Sequence, residues 1–307
     1  MVATLAAVVR AQRGSLEAAQ RRRSFVHANF IPALIAGVIE GIVEWLPVSS
    51  KTMITLYFAA IGLKVQYAYA LGLIANFGSF FAAVVYFRQE VWGALKSLRR
   101  PFSDEPYAQL LRFVVIGTLA TGIVGIPIYL VVQKAFSAIG GSIAMLVIGA
   151  LLVVTAIISR GKERLMAKQN DPPENAKPVG MSATLITGGM QGLAALPGIS
   201  RSAITTTPLL LMGFSAAEAL RLSFLLDVVA LVGAGVVPVV VGRGGRGAIG
   251  QFGVMPTVIM LVVAAIVSFL AIRFVLGLAR KRRTSTITFL IGIVTIIVPL
   301  AALITSH

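Results

Sequence analysis

Three stretches of this 307-residue chain contain no charged residue at all: Phe113 to Val132, Ile139 to Ser159, and Phe252 to Ala271. Each is about as long as the ~20 apolar residues that carry a helix across ~30 Å of hydrocarbon. Buried in lipid, such runs must satisfy every backbone polar group internally, which restricts them to helices. The rest of the chain agrees. Charged residues make up 12% and apolar ones 57%, against roughly 25% and 45–50% in a soluble domain, and the mean hydropathy is +0.91. The sequence predicts an all-α polytopic membrane protein.

Residue types that are missing exclude several chemistries. With no Cys, disulfide scaffolds, thiolate metal sites and cysteine nucleophiles are ruled out. The two His, His27 and His307, lie outside every apolar segment, so a membrane-embedded mechanism must run without imidazole. Phosphatases that pass through a phosphohistidine, with two His in their site, are excluded on the same ground. The net charge of +16 does not indicate nucleic acid, because no nucleic-acid-reading motif or aromatic-basic platform accompanies it. The basic residues cluster between apolar runs, where anionic head groups and the positive-inside bias account for them.

Residues 1–27 form a basic leader with five Arg. Its apolar start precedes the first Arg, the reverse of the order in a secretory signal. A first repeat is expected over 28–160, a polar inter-repeat loop over 161–180 and a second repeat over 181–307. In the first, Phe30–Leu46 and Thr52–Leu63 are too short to cross comfortably and flank the turn Pro47-Val48-Ser49-Ser50-Lys51. Full spans follow at about 66–87, 110–132 and 139–159. In the second, Met181–Leu196 and Ala203–Met212 flank Pro197-Gly198-Ile199-Ser200-Arg201-Ser202, with spans at about 216–241, 252–279 and 286–304. Leu46-Pro47-Val48-Ser49 can be laid on Leu196-Pro197-Gly198-Ile199-Ser200 with one residue of slippage, and Asn76 then falls on Asp227.

Each half is thus read as a re-entrant helix pair plus three transmembrane helices. An odd number of crossings inverts the second half, so the two polar turns dip from opposite faces and meet near the midplane. Fourteen Lys and Arg in 88–112, 160–178 and 280–283 stand against Lys64, Lys134, Arg243 and Arg246 on the other face. That excess puts the first face in the cytoplasm, although the leader's five Arg pull the other way. The site is expected to open to the outer face.

Few ionisable residues fall in the apolar segments or their turns: Glu40, Glu44, Lys51, Arg201, Glu218, Arg221, Asp227 and Arg273. Such groups usually line a polar cavity or pair with one another. Glu40 and Glu44 are four apart, which on a helix sets both carboxylates on one face about 6 Å apart. Either each pairs with Arg or carries a proton, or they form a general-base or divalent-cation site. Hard oxygen ligands suit Mg²⁺ or Ca²⁺. Ser49, Ser50 and Lys51 in one turn, and Ser200, Arg201 and Ser202 in the other, make an anion cradle at two helix N-termini. The same hydroxyls would serve equally as helix caps. Carboxylates, a hard cation and an Arg-hydroxyl cradle inside a membrane point to phosphoryl chemistry on a lipid.

These motifs resemble those of the undecaprenyl-pyrophosphate phosphatase (bacitracin-resistance) family. Glu40-Gly-Ile-Val-Glu44-Trp-Leu-Pro47-Val-Ser49-Ser50 is similar to its E-G-x-T-E-x-L-P-x-S-S motif. Gln191-Gly-Leu-Ala194-Ala-Leu-Pro197-Gly198-Ile-Ser200-Arg201-Ser202 is similar to Q-x-x-A-x-x-P-G-x-S-R-S-G, and Ser223-Phe224-Leu225-Leu226 to S-F-L-L. The resemblance covers about residues 28–304. It implies a membrane enzyme of inverted repeats that takes the terminal phosphate from a polyprenyl diphosphate carrier with Mg²⁺ or Ca²⁺. It also implies Glu40, Glu44, Ser50 and Arg201 as the catalytic set, Glu40 and Glu44 on the metal, and Ser49, Lys51, Ser200, Ser202 and Gln191 on the substrate.

The pattern breaks in places. Met53 stands where the family has a His, Ala203 where it has Gly, Asn76 where it has Gln, and Val43 where it has Thr; Asp227 and Val229 replace a small residue and a Pro. Lys51 and Asp227 are therefore extra charges that either compensate for the missing His or mark a changed substrate or lost activity. The expected partners are the lipid substrate, membrane lipids and a second copy in a homodimer, in a plasma membrane where carrier recycling feeds envelope glycan synthesis. A polyprenyl-phosphate or amphiphile transporter on the same repeat plan is the alternative, and a binding-only homologue a third.

Overall fold

The computed structural model describes residues 29–138, 141–168, 178–241 and 243–280, all helices and short connections. The leader and the span expected at 286–304 lie outside them. The first half runs α1 (Asn29–Val43), α2 (Ser50–Ala60), α3 (Val65–Tyr86), α4 (Arg88–Lys96), α5 (Pro106–Ala138) and α6 (Gly141–Lys168). The second runs α7 (Met181–Leu193), α8 (Arg201–Leu211), α9 (Ala216–Val240), α10 (Arg243–Phe252) and α11 (Val254–Arg280). The order short pair, long helix, short helix, long helix therefore occurs twice. The two short pairs are joined by the two polar turns.

Four of these helices, at Val65–Tyr86, Pro106–Phe136, Ala216–Val240 and Val254–Leu276, are long and apolar enough to cross a membrane. Burial divides them into two kinds. The windows on α3 and α9 are 72% and 50% buried, those on α5 and α11 only 11% and 22%. α3 and α9 pack on each other, and α3 also takes α2, α10 and α11. Outward from α5, α6 and α11 point Leu119, Ile123, Val131, Ile157, Ile266, Leu270 and Phe274, a large apolar belt that water would not tolerate and lipid solvates. The chain is a multi-pass helical membrane protein.

Several boundaries differ from the sequence reading. α6 continues past Ser159 to Lys168, so residues 161–168, expected in a polar loop, are helical. Lys162, Glu163, Arg164, Leu165 and Met166 are good helix formers, and the Lys, Asn and Pro content of the whole stretch to Pro178 suggested a loop. α5 is 33 residues long and runs through Pro127 without ending, as membrane helices tolerate. The short helices α4 and α10 had no prior signal; α10 contains four Gly, which argue against a helix by propensity.

The α5–α7 seam is built on bare backbone. A Cβ at Gly188 would overlap the backbone of Gly117, while one at the neighbouring Gly189 would meet nothing. Thr121 closes the seam, its Oγ1 lying 2.8 Å from the Gly117 carbonyl and 2.9 Å from that of Gly188. Gly188→Ala should therefore destabilise the protein by about 1–3 kcal/mol, the usual cost of overpacking, while Gly189→Ala should not. Thermal unfolding of both variants in one detergent decides this; equal midpoints would mean the helices are not in backbone contact.

Candidate functional site: two turns around a buried arginine

Ser49 and Ser200 occupy the N-cap positions of α2 and α8, yet neither side chain caps its helix. Ser215 shows the ordinary alternative: its hydroxyl accepts from the Glu218 amide at 3.2 Å, the start of a Ser-x-x-Glu capping box. At the two turns the hydroxyls point elsewhere. Ser49 Oγ meets Thr52 Oγ1 at 2.7 Å and Ser200 Oγ meets Ser202 Oγ at 3.4 Å. The capping explanation for these serines therefore does not hold.

The turns instead lock onto each other. Carbonyls of the first turn accept from the second half and from α6: Leu46 from Ser202 Oγ at 2.7 Å, Pro47 from Ser159 Oγ at 3.0 Å. In return, Ile199 accepts from Lys51 Nζ at 3.0 Å, Gly198 from Thr155 Oγ1 at 2.5 Å, and Ala195 from the Tyr69 hydroxyl. The Gly198 amide donates to Thr52 Oγ1 at 2.6 Å and the Ser200 amide to Thr155 Oγ1 at 3.1 Å. These bonds give buried, irregular backbone the partners it needs. Gly198, at φ +96° and with Leu151 Cβ 2.6 Å from where its own Cβ would be, admits only glycine.

Charge concentrates where the turns meet. Arg201, first residue of α8, places Nη2 2.9 Å from Glu44 Oε1, and its Nη1 pairs with the Asp227 carboxylate from α9 as an ion pair without hydrogen-bond geometry. Ser50 donates its hydroxyl proton to Glu44 Oε2. Glu44 thus has one oxygen on a cation and the other on a hydroxyl. Glu40, one turn earlier on α1, is fully buried behind it; Ser79 donates to its Oε1 at 3.0 Å and itself meets Ser268 of α11 at 2.8 Å, while Oε2 has no partner. Glu218 and Arg221 form a separate chain with Glu90 (3.2 and 3.5 Å).

A cavity of about 440 Å³ opens on this cluster. Its floor is Glu44, Ser49, Ser50, Lys51, Asn76, Gln191, Arg201 and Asp227, and its walls include Tyr69, Leu73, Ile126, Tyr129, Val229 and Val237. An apolar chamber with a small convergent polar end is the usual form of a ligand site. Of the expected residues, Glu44, Ser49, Ser50, Lys51, Gln191 and Arg201 line it. Glu40, Ser200 and Ser202 do not: Glu40 stands behind Glu44, and the two serines are used up in joining the turns. Gln191 Nε2 lies 3.2 Å from Thr121 Oγ1, leaving its carbonyl oxygen unpartnered. Met53 is not among the lining residues either, whereas both extra charges, Lys51 and Asp227, are.

Sequence reasoning missed Thr118, Tyr69 and Tyr129 as parts of the site. Each lies within a helix among apolar residues, with no local signal that it lines a cavity. Among the described residues no three His, Cys, Asp or Glu side chains converge as a ready metal cluster. The donor set is nevertheless compatible with a hard cation. Glu40 Oε2 is a buried carboxylate oxygen with no partner, one turn from Glu44, and three carboxylates face two cations, Arg201 and Lys51.

Arg201→Ala should leave Glu44 and Asp227 facing each other uncompensated, costing about 3–5 kcal/mol as for other broken buried pairs. Arg201→Ala combined with Asp227→Ala should recover a measurable part of that loss. Thermal melts of the single and double variants test it; a double variant no better than the single would mean that the pair is not coupled.

Comparison with known proteins identifies the family. The family model described as bacitracin resistance protein BacA matches residues 33–297. A protein named undecaprenyl-diphosphatase from Saccharolobus solfataricus is 36% identical over 266 residues, covering 86% of this chain and 93% of its own. One of the same name from Haloarcula marismortui is 36% identical over 254 residues (81% and 89%), and one from Methanococcoides burtonii 39% over 205 (65% and 74%). The matched region takes in both turns, Arg201 and every helix that positions them, and the chain belongs to the bacitracin resistance protein BacA family.

Proposed function

We propose that the chain is an integral-membrane phosphatase that converts a polyprenyl diphosphate to the monophosphate and phosphate. The observation that carries this reading is the contact of Ser50 with Glu44 at the polar end of an apolar chamber, with Arg201 on the same carboxylate. The family and its relatives' names point to undecaprenyl diphosphate as the substrate. The chamber suits one: its apolar walls take the first isoprene units, and the diphosphate meets Arg201, Lys51 and the N-termini of α2 and α8.

In this reading Arg201 binds the terminal phosphate, and Glu44 takes the Ser50 proton as Oγ attacks phosphorus. The Oγ–P bond forms, the bridging P–O bond breaks, and the polyprenyl monophosphate leaves with the proton that Glu44 received. Water then attacks the phosphoserine; its proton returns to Ser50 Oγ and inorganic phosphate departs. A divalent cation, Mg²⁺ or Ca²⁺, would be held by Glu40 and Glu44 and would neutralise the phosphate oxygens. No imidazole takes part, which accords with Met53 lying off the cavity wall.

The architecture proposed with it is the inverted repeat: α1–α2 and α7–α8 enter from opposite faces as re-entrant pairs. The repeated helix order and the interlocked turns support this, and the Lys and Arg bias sets residues 88–112 in the cytoplasm with the site opening outward. Because the chain has no Cys, single cysteines report topology cleanly. A thiol at Lys64→Cys should react with an impermeant reagent on intact cells and one at Asp104→Cys only after permeabilisation; the reverse pattern would invert the orientation.

Phosphate release from purified protein and a polyprenyl diphosphate tests the activity. Glu44→Gln and Ser50→Ala should each lose at least ~100-fold, and Arg201→Lys should not restore function, since an ammonium cannot supply two parallel hydrogen bonds. Near-wild-type release by the Glu44 and Ser50 variants would sink the assignment. Lipid translocation by Glu44→Gln in liposomes would favour the carrier alternative.

A further inference from the structure

Arg201 is the anion-binding group of the site, and both its terminal nitrogens already face carboxylates. Nη2 faces Glu44 and Nη1 faces Asp227. A phosphate can bind in parallel, through two N–H groups, only if one carboxylate gives way. The two are not equivalent. Glu44 is also held by the Ser50 hydroxyl. Asp227 is 1% exposed, its Oδ2 has no hydrogen-bond partner, and it lines the cavity where an anion would enter. The fold does not demand a charge at this register: Asn76, at the corresponding place in α3, also lines the cavity and is neutral.

We propose that Asp227 is the displaceable counter-ion of Arg201. It sits in the phosphate's place while the site is empty, gives way to the terminal phosphate of an incoming diphosphate, and returns to Arg201 as inorganic phosphate leaves. Asp227 is thus a positioning residue that weakens ground-state binding and speeds product release. A buried carboxylate beside a bound diphosphate repels it, so the site discriminates against any anion too weakly held to displace Asp227.

The inference rests on the proposed function for the identity of the anion, but its test needs no turnover. Methylenediphosphonate, a non-hydrolysable diphosphate, is titrated calorimetrically into the purified full chain in detergent at fixed ionic strength. Asp227→Asn and Asp227→Ser should each bind it at least about tenfold more tightly than wild type, since a competing buried charge is gone. Asp227→Glu should stay within about threefold of wild type. With polyprenyl diphosphate as substrate, the neutral variants should show a lower KM, a lower kcat and stronger inhibition by inorganic phosphate, a split that simple loss of packing does not produce.

Unchanged or weaker binding by a neutral variant that is monodisperse and melts cooperatively would overturn the proposal, and would mean that Asp227 only orients Arg201. Two neutral variants of different size keep the test open should one fail to fold. A chain that hydrolyses no polyprenyl diphosphate yet binds the probe more tightly as Asp227→Asn would overturn the phosphatase reading and leave this one standing.

Discussion

The guanidinium of Arg201 is the group on which the centre of the molecule depends. It begins α8, reaches Glu44 in the first half of the chain and Asp227 in the second, and sits in a low-dielectric interior where an unpaired cation would be expelled. Both turns are shaped so that it can stay. Ser202 and Ser159 hold the first turn by its carbonyls, while Lys51, Thr155 and Tyr69 hold the second. Without those bonds the irregular backbone would be left buried and unpaired. The fold and the site are for this reason one structure, and replacing a turn residue disturbs both.

Around that centre the helices divide their labour. α3 and α9 are buried and carry the polar residues Asn76, Ser79, Ser223 and Asp227 inward; α5 and α11 present bulky apolar side chains outward. The chamber lies between, with one charged end and largely apolar walls. Some buried hydroxyls return to the backbone of their own helix, as Thr55 does to Lys51 and Thr205 to Arg201.

How far the sequence foretold this depends on which physical signal each feature carries. Apolar runs determined α3, α5, α9 and α11 to within a few residues, because burial in lipid demands a continuous hydrophobic length. The motifs around Glu44 and Arg201 located both turns, since polar residues inside apolar stretches either line a site or hold irregular backbone together. α6 beyond Ser159 and α10 were missed because hydropathy reads membrane depth, not helicity. Glu40 and Glu44 looked equivalent at i and i+4, but their surroundings differ: Ser79 and Ser268 draw Glu40 away from the cavity, and those partners lie 39 and 228 positions along the chain. Asp227 showed in the sequence only as an unexpected charge. Its meaning came from its distance to Arg201, which no local pattern encodes.

The central claim is that Ser50, with its proton on Glu44, is the atom that meets the terminal phosphorus. Acid-quenched single turnover with a polyprenyl diphosphate labelled in its terminal phosphate, followed by peptide mapping, tests this most directly. The account predicts transient label on the peptide that contains Ser50, absent from Ser50→Ala and rising before free phosphate appears. Full single-turnover release of labelled phosphate with no label on the protein at any time point would contradict it.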